Sequence, residues 1–262
     1  MELLKFYPGS LPILISMPHN GTLIPDELRP LYTANGLAAE DTDWYMDKLY
    51  SFGQKLGCAI VKPLISRYVI DLNRSPENED LYPGQTSSRL CPKTTFTGEP
   101  LYLKKSPNSE ETKQRLSRYY LPYHDQLNCW IQETLTRYKV AVIYEAHSIK
   151  SQLPRLFQGQ LSELNLGTNS GQSCSPELQK IVWSYLQKSS YTSVKNERFK
   201  GGYITRHYGQ PENGIHTLQM EITQSCYMDE NTLEINKHEF QKLQCFLKTL
   251  ITAIINWTKQ YV

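Results

Sequence analysis

The chain of 262 residues has no apolar run able to cross a bilayer: its most apolar stretches, residues 11–17 and 247–255, fall far short of the roughly 20 residues a spanning helix needs. Its N-terminal segment has no basic patch followed by an apolar core, so no signal peptide is expected. It has almost no charge imbalance. The 28 basic and 26 acidic residues leave a formal charge of +2, too little for a field that would draw nucleic acid or an anionic membrane. None of its six cysteines (58, 91, 129, 174, 226 and 245) forms a Cys-x-x-Cys pair, which argues against a thiolate zinc knot. Without a secretory signal, free thiols in a reducing cytoplasm are expected. A Gly-x-Ser-x-Gly elbow is missing, which disfavours a serine hydrolase. Internal repeats and low-complexity tracts are missing too.

What remains is an ordinary composition, 39% hydrophobic and 21% charged, of a length suited to one α/β domain spanning residues 1–262. Residues 11–16 are short, apolar and β-prone, and run into Met17-Pro18-His19-Asn20-Gly21. Residues 44–56 carry helical spacing behind Asp41-Thr42-Asp43, and Gly57 closes them. Residues 58–64 and 68–72 read as strands. Residues 75–108 form a long irregular stretch rich in Pro, Gly, Ser, Thr and Asn. Residues 109–138 form the longest helical pattern, with a kink expected at Pro122. A near-continuous apolar strand at 140–144 leads into Glu145-Ala146-His147-Ser148. Helix at 176–188, strand at 215–222 and helix at 240–261 complete the chain. Strands alternating with helices predict a largely parallel or mixed central sheet flanked by helices.

His19 and His147 each follow an expected strand, at the sheet edge where open α/β folds bind ligands. Two imidazoles from separate strands can meet on one zinc ion, which in hydrolases takes three protein ligands and leaves one position for water. Asp43 is favoured as the third ligand because it opens the helix after the His19 loop; Asp41 and Glu145 remain alternatives. In Asp71-Leu72-Asn73-Arg74, the Arg74 fork and the Asn73 amide suit a carboxylate, and Asp71 could hold Arg74 or a metal-binding histidine from behind. Residues 196–209 bring Arg198, Lys200 and Arg206 beside Gly201-Gly202, whose backbone can approach an anion closely. Glu221 alternates against Leu218, Met220 and Ile222, so it faces the other side of its strand and is a candidate general base.

Several longer motifs carry a resemblance. They are Ser16-Met17-Pro18-His19-Asn20-Gly21, Asp41-Thr42-Asp43-Trp44, the run Ser66-Arg67-Tyr68-Val69-Ile70-Asp71-Leu72-Asn73-Arg74, Glu145-Ala146-His147-Ser148, Asn165-Leu166-Gly167-Thr168, and residues 198–209. In this order they resemble the N-formylglutamate amidohydrolase family. The resemblance implies a fold like that of zinc carboxypeptidases and aspartoacylases. It implies hydrolysis of N-formyl-L-glutamate to formate and L-glutamate, the last step of histidine degradation, with Zn2+ as cofactor and a small dicarboxylate as substrate. By it, His19 and His147 match the metal histidines, Asn73 and Arg74 the carboxylate-binding pair, and Glu221 the base. Arg67 or Arg206 would stabilise the oxyanion, and Arg206 with the Gly201-Gly202 backbone would hold the second carboxylate. One position departs: the related families carry an acidic ligand three residues after the first histidine, where this chain has Thr22, so Asp43 is inferred as the third ligand. Other N-acyl amino acids, peptidoglycan fragments or a role as an inactive binding module are the alternatives.

Overall fold

A computed structural model describes residues 2–79 and 88–261. Among them seven strands form one sheet: β1 (Leu4–Tyr7), β2 (Ile13–Ser16), β3 (Ala59–Pro63), β4 (Ala141–Ile149), β5 (Leu164–Gly167), β6 (Ser193–Lys195) and β7 (Ile215–Thr223). Their order is β1-β3-β2-β4-β7-β5-β6. The central strands β3, β2, β4 and β7 run parallel, while β1 and β5 run antiparallel to their inner neighbours, so the sheet is mixed. The helices are α1 (Ala34–Ala38), α2 (Met46–Leu49), α3 (Ser109–Arg115), α4 (Leu121–Arg137), α5 (Pro176–Lys188), α6 (Tyr203–Tyr208) and α7 (Lys237–Thr258).

Every residue of β4 and β7 is buried, as expected of central strands covered on both faces. Val142, Tyr144 and Ala146 of β4 join Leu218, Met220 and Ile222 of β7 in a core shared with α2, α5 and α7. In α7, Leu243, Leu247, Leu250, Ile251 and Ile254 recur at three and four and are fully buried there. Each such side chain contributes roughly 1.5–3 kcal/mol through loss of water contact. Ala141, Ile143 and Ile215 point the other way, into a second core with α4 and α6. The same alternation carries Glu145, His147, Gln219 and Glu221 onto this second face at the carboxyl end of the sheet.

Three expected elements differ. Residues 44–56 are not one helix: α2 is a single turn, followed by bends and a tight turn at Gln54–Leu56. Tyr45 adopts the left-handed conformation at φ 61°, and a Cβ on Gly53 would come 2.7 Å from Ile15 Cδ1, so sheet contact dictates this path. Residues 68–72 form no strand. Their apolar side chains pack in the second core, and the Asp71 N–H reaches the Leu90 carbonyl instead of a sheet neighbour. In residues 109–138 the break lies just before Pro122: a wide turn at Leu116–Tyr120 separates α3 from α4. The proline cannot donate to the preceding turn and its ring crowds the carbonyl four residues back, which a wider turn relieves. Of the irregular stretch 75–108, residues 80–87 lie outside the described residues.

Candidate active site

His19 lies in the turn after β2, where Gly21 is pressed so closely on the next loop that a Cβ would sit 2.3 Å from the Ile65 carbonyl oxygen. The Asp43 N–H donates to the His19 carbonyl at 3.1 Å, which ties the loop before α2 to this turn. His147 projects from β4. One ligand atom from each of His19, Asp43 and His147 lies within 4.8 Å of the other two, and all three residues are buried. Asp43 Oδ2 is 2.9 Å from His147 Nδ1 and 3.8 Å from His19 Nδ1.

The far nitrogen of each ring meets a second carboxylate. His19 Nε2 donates to Asp71 Oδ1 at 2.7 Å, and Asp71 Oδ2 accepts from Arg67 Nη2 at 2.8 Å. His147 Nε2 stands 3.3 Å from Glu145 Oε2. Glu145 Oε2 also accepts from Asn73 Nδ2 at 2.9 Å, and Oε1 accepts from the Thr205 hydroxyl. Carboxylates behind metal-binding histidines fix the tautomer and raise ligand basicity. Two Nδ1 atoms turned toward one aspartate oxygen, each ring braced from behind, form a donor set that fits a divalent cation of the His/His/carboxylate kind.

The electrostatics suit such a set. Burial, helped by Arg67, lowers the His19 pKa to about 4 against the pull of Asp71, so its ring is neutral at pH 7. Burial also opposes a charge on His147, but its contacts with Asp43 and Glu145 prevail and raise it to about 10. A binding cation displaces such a proton. Glu221 pairs in register with His147 across β4 and β7. Burial pushes its pKa up to about 8, with His147 and Arg67 opposing and Asp43 and Glu145 reinforcing.

These groups open into a cavity of about 80 Å³. Arg67, Arg74 and Arg198 line it, as do Phe96, Ser148, Gln219 and Glu221. Arg67 lies over the Phe96 ring at 4.8 Å and 3.7 Å from Asp43 Oδ1. Arg74 is braced by the Ser88 carbonyl and hydroxyl, both at 2.9 Å.

Other expected residues are placed differently. Asn73 is in the wall, but its amide is committed: Nδ2 donates to Glu145 and Oδ1 accepts from the Ile204 N–H at 2.8 Å. It therefore braces His147 and the start of α6 from within the cavity wall. Gly202 is in the wall, yet its N–H already donates to Gln219 Oε1 at 2.7 Å. Gly201 and Arg206 are not in the wall; Arg206 Nε donates to the Gly201 carbonyl at 2.9 Å. The cation that residues 198–209 bring to the cavity is Arg198. Asp41 accepts the Phe96 N–H at 2.7 Å and so anchors that loop outside the central cluster. Gln219 had a signal in its strand position, two residues before Glu221 on the same face. Phe96 and Ser148 had none, since loop geometry alone carries the first and the end of β4 the second.

A model of the N-formylglutamate amidohydrolase family matches residues 11–228. An N-formylglutamate deformylase of Pseudomonas putida is 40% identical over 98% of this chain and 97% of its own length. Another, from Pseudomonas aeruginosa, is 37% identical over 99% and 98%. Among solved structures, an N-formylglutamate amidohydrolase from Ralstonia eutropha JMP134 superposes with a TM-score of 0.86 at 25% identity, covering 99% of both chains. A gene product of Agrobacterium tumefaciens shares the fold at a TM-score of 0.73 and 19% identity, over 97% of this chain and 95% of its own.

Proposed function

The chain belongs to the N-formylglutamate amidohydrolase family, and from that premise we propose that it hydrolyses N-formyl-L-glutamate to formate and L-glutamate with zinc held by His19, Asp43 and His147. The observation that carries this is the meeting of those three residues beside a buried Glu221, in one cavity with Arg74 and Arg198. Zinc bound there would supply Lewis acidity toward the formyl carbonyl and toward water.

The chain's own residues supply the rest. Glu221 takes a proton from the attacking water and passes it to the leaving nitrogen as the formyl C–N bond breaks; burial favours its protonated form, and a cation held by the neighbouring His19, Asp43 and His147 would favour the carboxylate that this role needs. Gln219 Nε2, 3.5 Å from Glu221 Oε2, steadies that carboxyl group. Arg67, held between Asp43 and Asp71, faces the negative charge that builds on the formyl oxygen. Arg74 and Arg198 hold the two glutamate carboxylates. Histidine degradation in the cytoplasm is the pathway to which we assign the reaction, as its last step.

Elemental analysis of protein purified without chelator, with a formate-release assay, tests the whole. About one zinc per chain is expected, with loss of metal in His19→Ala and His147→Ala. Glu221→Gln should keep metal and substrate binding while kcat falls by about a hundredfold or more. Full metal content in both histidine variants, or unchanged turnover in Glu221→Gln, overturns the assignment.

A further inference from the structure

A second cavity, of about 210 Å³, adjoins the first. Ser88, Phe96 and Leu156 belong to both walls, so the two spaces are neighbours across these side chains. The second wall also carries Arg89, Lys93 and Arg155, and among the described residues no carboxylate lies in it. All three cations are exposed, and no ion pair engages any of them among the described residues. Arg155 is oriented by a 3.2 Å hydrogen bond from Nη1 to the Thr95 carbonyl. Its side chain also lies along Gly98, where a Cβ would come 3.4 Å from Cδ, so this loop shapes itself around the arginine.

Three exposed cations gathered beside a water-accessible hollow attract an anion. Their position matters more than their number. In the catalytic cavity, Arg67 is paired with Asp71 at 2.8 Å and lies near Asp43, and the proposed function assigns Arg74 and Arg198 to the two carboxylates of an N-formylglutamyl group. Among the described residues of that wall there is no further arginine or lysine for a third carboxylate. Arg89, Lys93 and Arg155 supply that charge one cavity further out.

We propose that this second cavity is an anion subsite for an acidic residue joined to the substrate's glutamyl group, so that the enzyme also deformylates N-formyl-glutamyl peptides whose next residue is acidic. The reaction itself is unchanged: water adds across the formyl C–N bond, formate leaves, and the proton goes to the peptide's amine. Phe96 lies under Arg67 and belongs to the walls of both cavities.

This rests on the deformylase reading, and the test separates the two. Formate release is measured from N-formylglutamate and from N-formyl-Glu-Glu, linked through either carboxyl, with N-formyl-Glu-Gln as the neutral control. The wild-type protein is compared with the triple variant Arg89→Ala/Lys93→Ala/Arg155→Ala, whose changes all lie on the surface. Wild type should prefer N-formyl-Glu-Glu of one linkage over N-formyl-Glu-Gln by about tenfold or more in kcat/KM. The triple variant should lose that preference while its rate on N-formylglutamate changes less than about twofold. Calorimetric binding of the same pair reads the subsite even if no formate is released: tenfold tighter binding of the acidic peptide, erased in the triple variant, supports it. Equal handling of acidic and neutral peptides by wild type overturns it. An equal loss on N-formylglutamate and on the peptide also overturns it, because the cations would then act as a general attractor only.

Discussion

Asp71 shows how much one side chain can be asked to hold. Its Oδ1 accepts from His19 Nε2 at 2.7 Å and from the Asn73 N–H at 2.9 Å, while Oδ2 takes Arg67. Burial disfavours its charge, yet His19, Arg67 and Arg74 together hold its pKa well below the usual carboxylate range. Asp71→Asn keeps the shape but offers an amide where an acceptor is needed. We expect zinc affinity to fall by about 10- to 100-fold, measured by competition with a chromogenic chelator. Unchanged affinity would mean that His19 needs no brace. Glu145 holds His147 in the same way, and the two sequence positions differ in how readable they were. The Asp-Leu-Asn-Arg run suggested a histidine partner for Asp71. Glu145 stood two residues from His147 in an apolar strand and was an alternative to Asp43 as the acidic ligand. Only the register of β4 against β7 and the approach of Thr205 show that it faces the back of the ring. Of the cations in one glycine-containing stretch, Arg206 was expected to face the substrate; the cavity wall instead includes Arg198, while Arg206 Nε donates to the Gly201 carbonyl.

Among the elements, α6 is the one whose existence the sequence least betrayed. It is six residues long, begins after two glycines and has no side-chain cap. A basic loop is the natural reading of such a stretch, because helices this short draw their stability from tertiary contacts. Here those contacts are polar and specific. Ile204 N–H meets Asn73, Thr205 meets Glu145, and Gly202 N–H meets Gln219. The long regular elements were legible by contrast: helix at 176–188 and strand at 215–222 match α5 and β7 because their periodicity is strong and agrees with burial. At Gly202 a Cβ would lie 2.4 Å from Asn73 Nδ2, and the amide cannot retreat without leaving both Glu145 and Ile204. Gly202→Ala should therefore cost about 1–3 kcal/mol, as overpacking does. Its kcat should drop about tenfold or more, because His147 loses its brace along with the helix. Thermal melts and formate release check this. A variant with wild-type melting and turnover would show that α6 can slide without disturbing the site.

At the scale of the whole molecule, stability in acid depends on buried neutral imidazoles, and His124 gives the cleanest case. It lies in the second core, stacked between Tyr120 at 4.0 Å and Tyr208 at 5.9 Å between ring centroids. Tyr203 meets its edge. Its Nε2 donates to the Leu72 carbonyl at 2.9 Å and its Nδ1 accepts from the Tyr208 hydroxyl at 2.9 Å, so α4, α6 and the Asp71–Arg74 turn are joined through one neutral ring. Burial lowers its pKa from 6.5 to about 4; the Leu72 carbonyl opposes this and His207 adds to it. The folded state thus resists the proton that the unfolded chain accepts. Above pH 6.5 neither state binds it and stability is unaffected. As pH falls from 6.5 to about 4, the unfolded state gains the proton first and stability is lost, by up to about 1.4 kcal/mol per pH unit and roughly 3 kcal/mol in all. Glu221, with its pKa raised to about 8, acts in the opposite sense over part of this range, so the total curve mixes several groups. Subtraction isolates one. Urea unfolding of wild type and His124→Gln at pH 7, 6, 5 and 4.5 should show the variant less stable at pH 7, since glutamine cannot stack as the ring does. Its free energy should nevertheless fall more slowly with acid, so that the gap narrows. A constant gap across the series would show that His124 takes up its proton as readily in the fold as out of it.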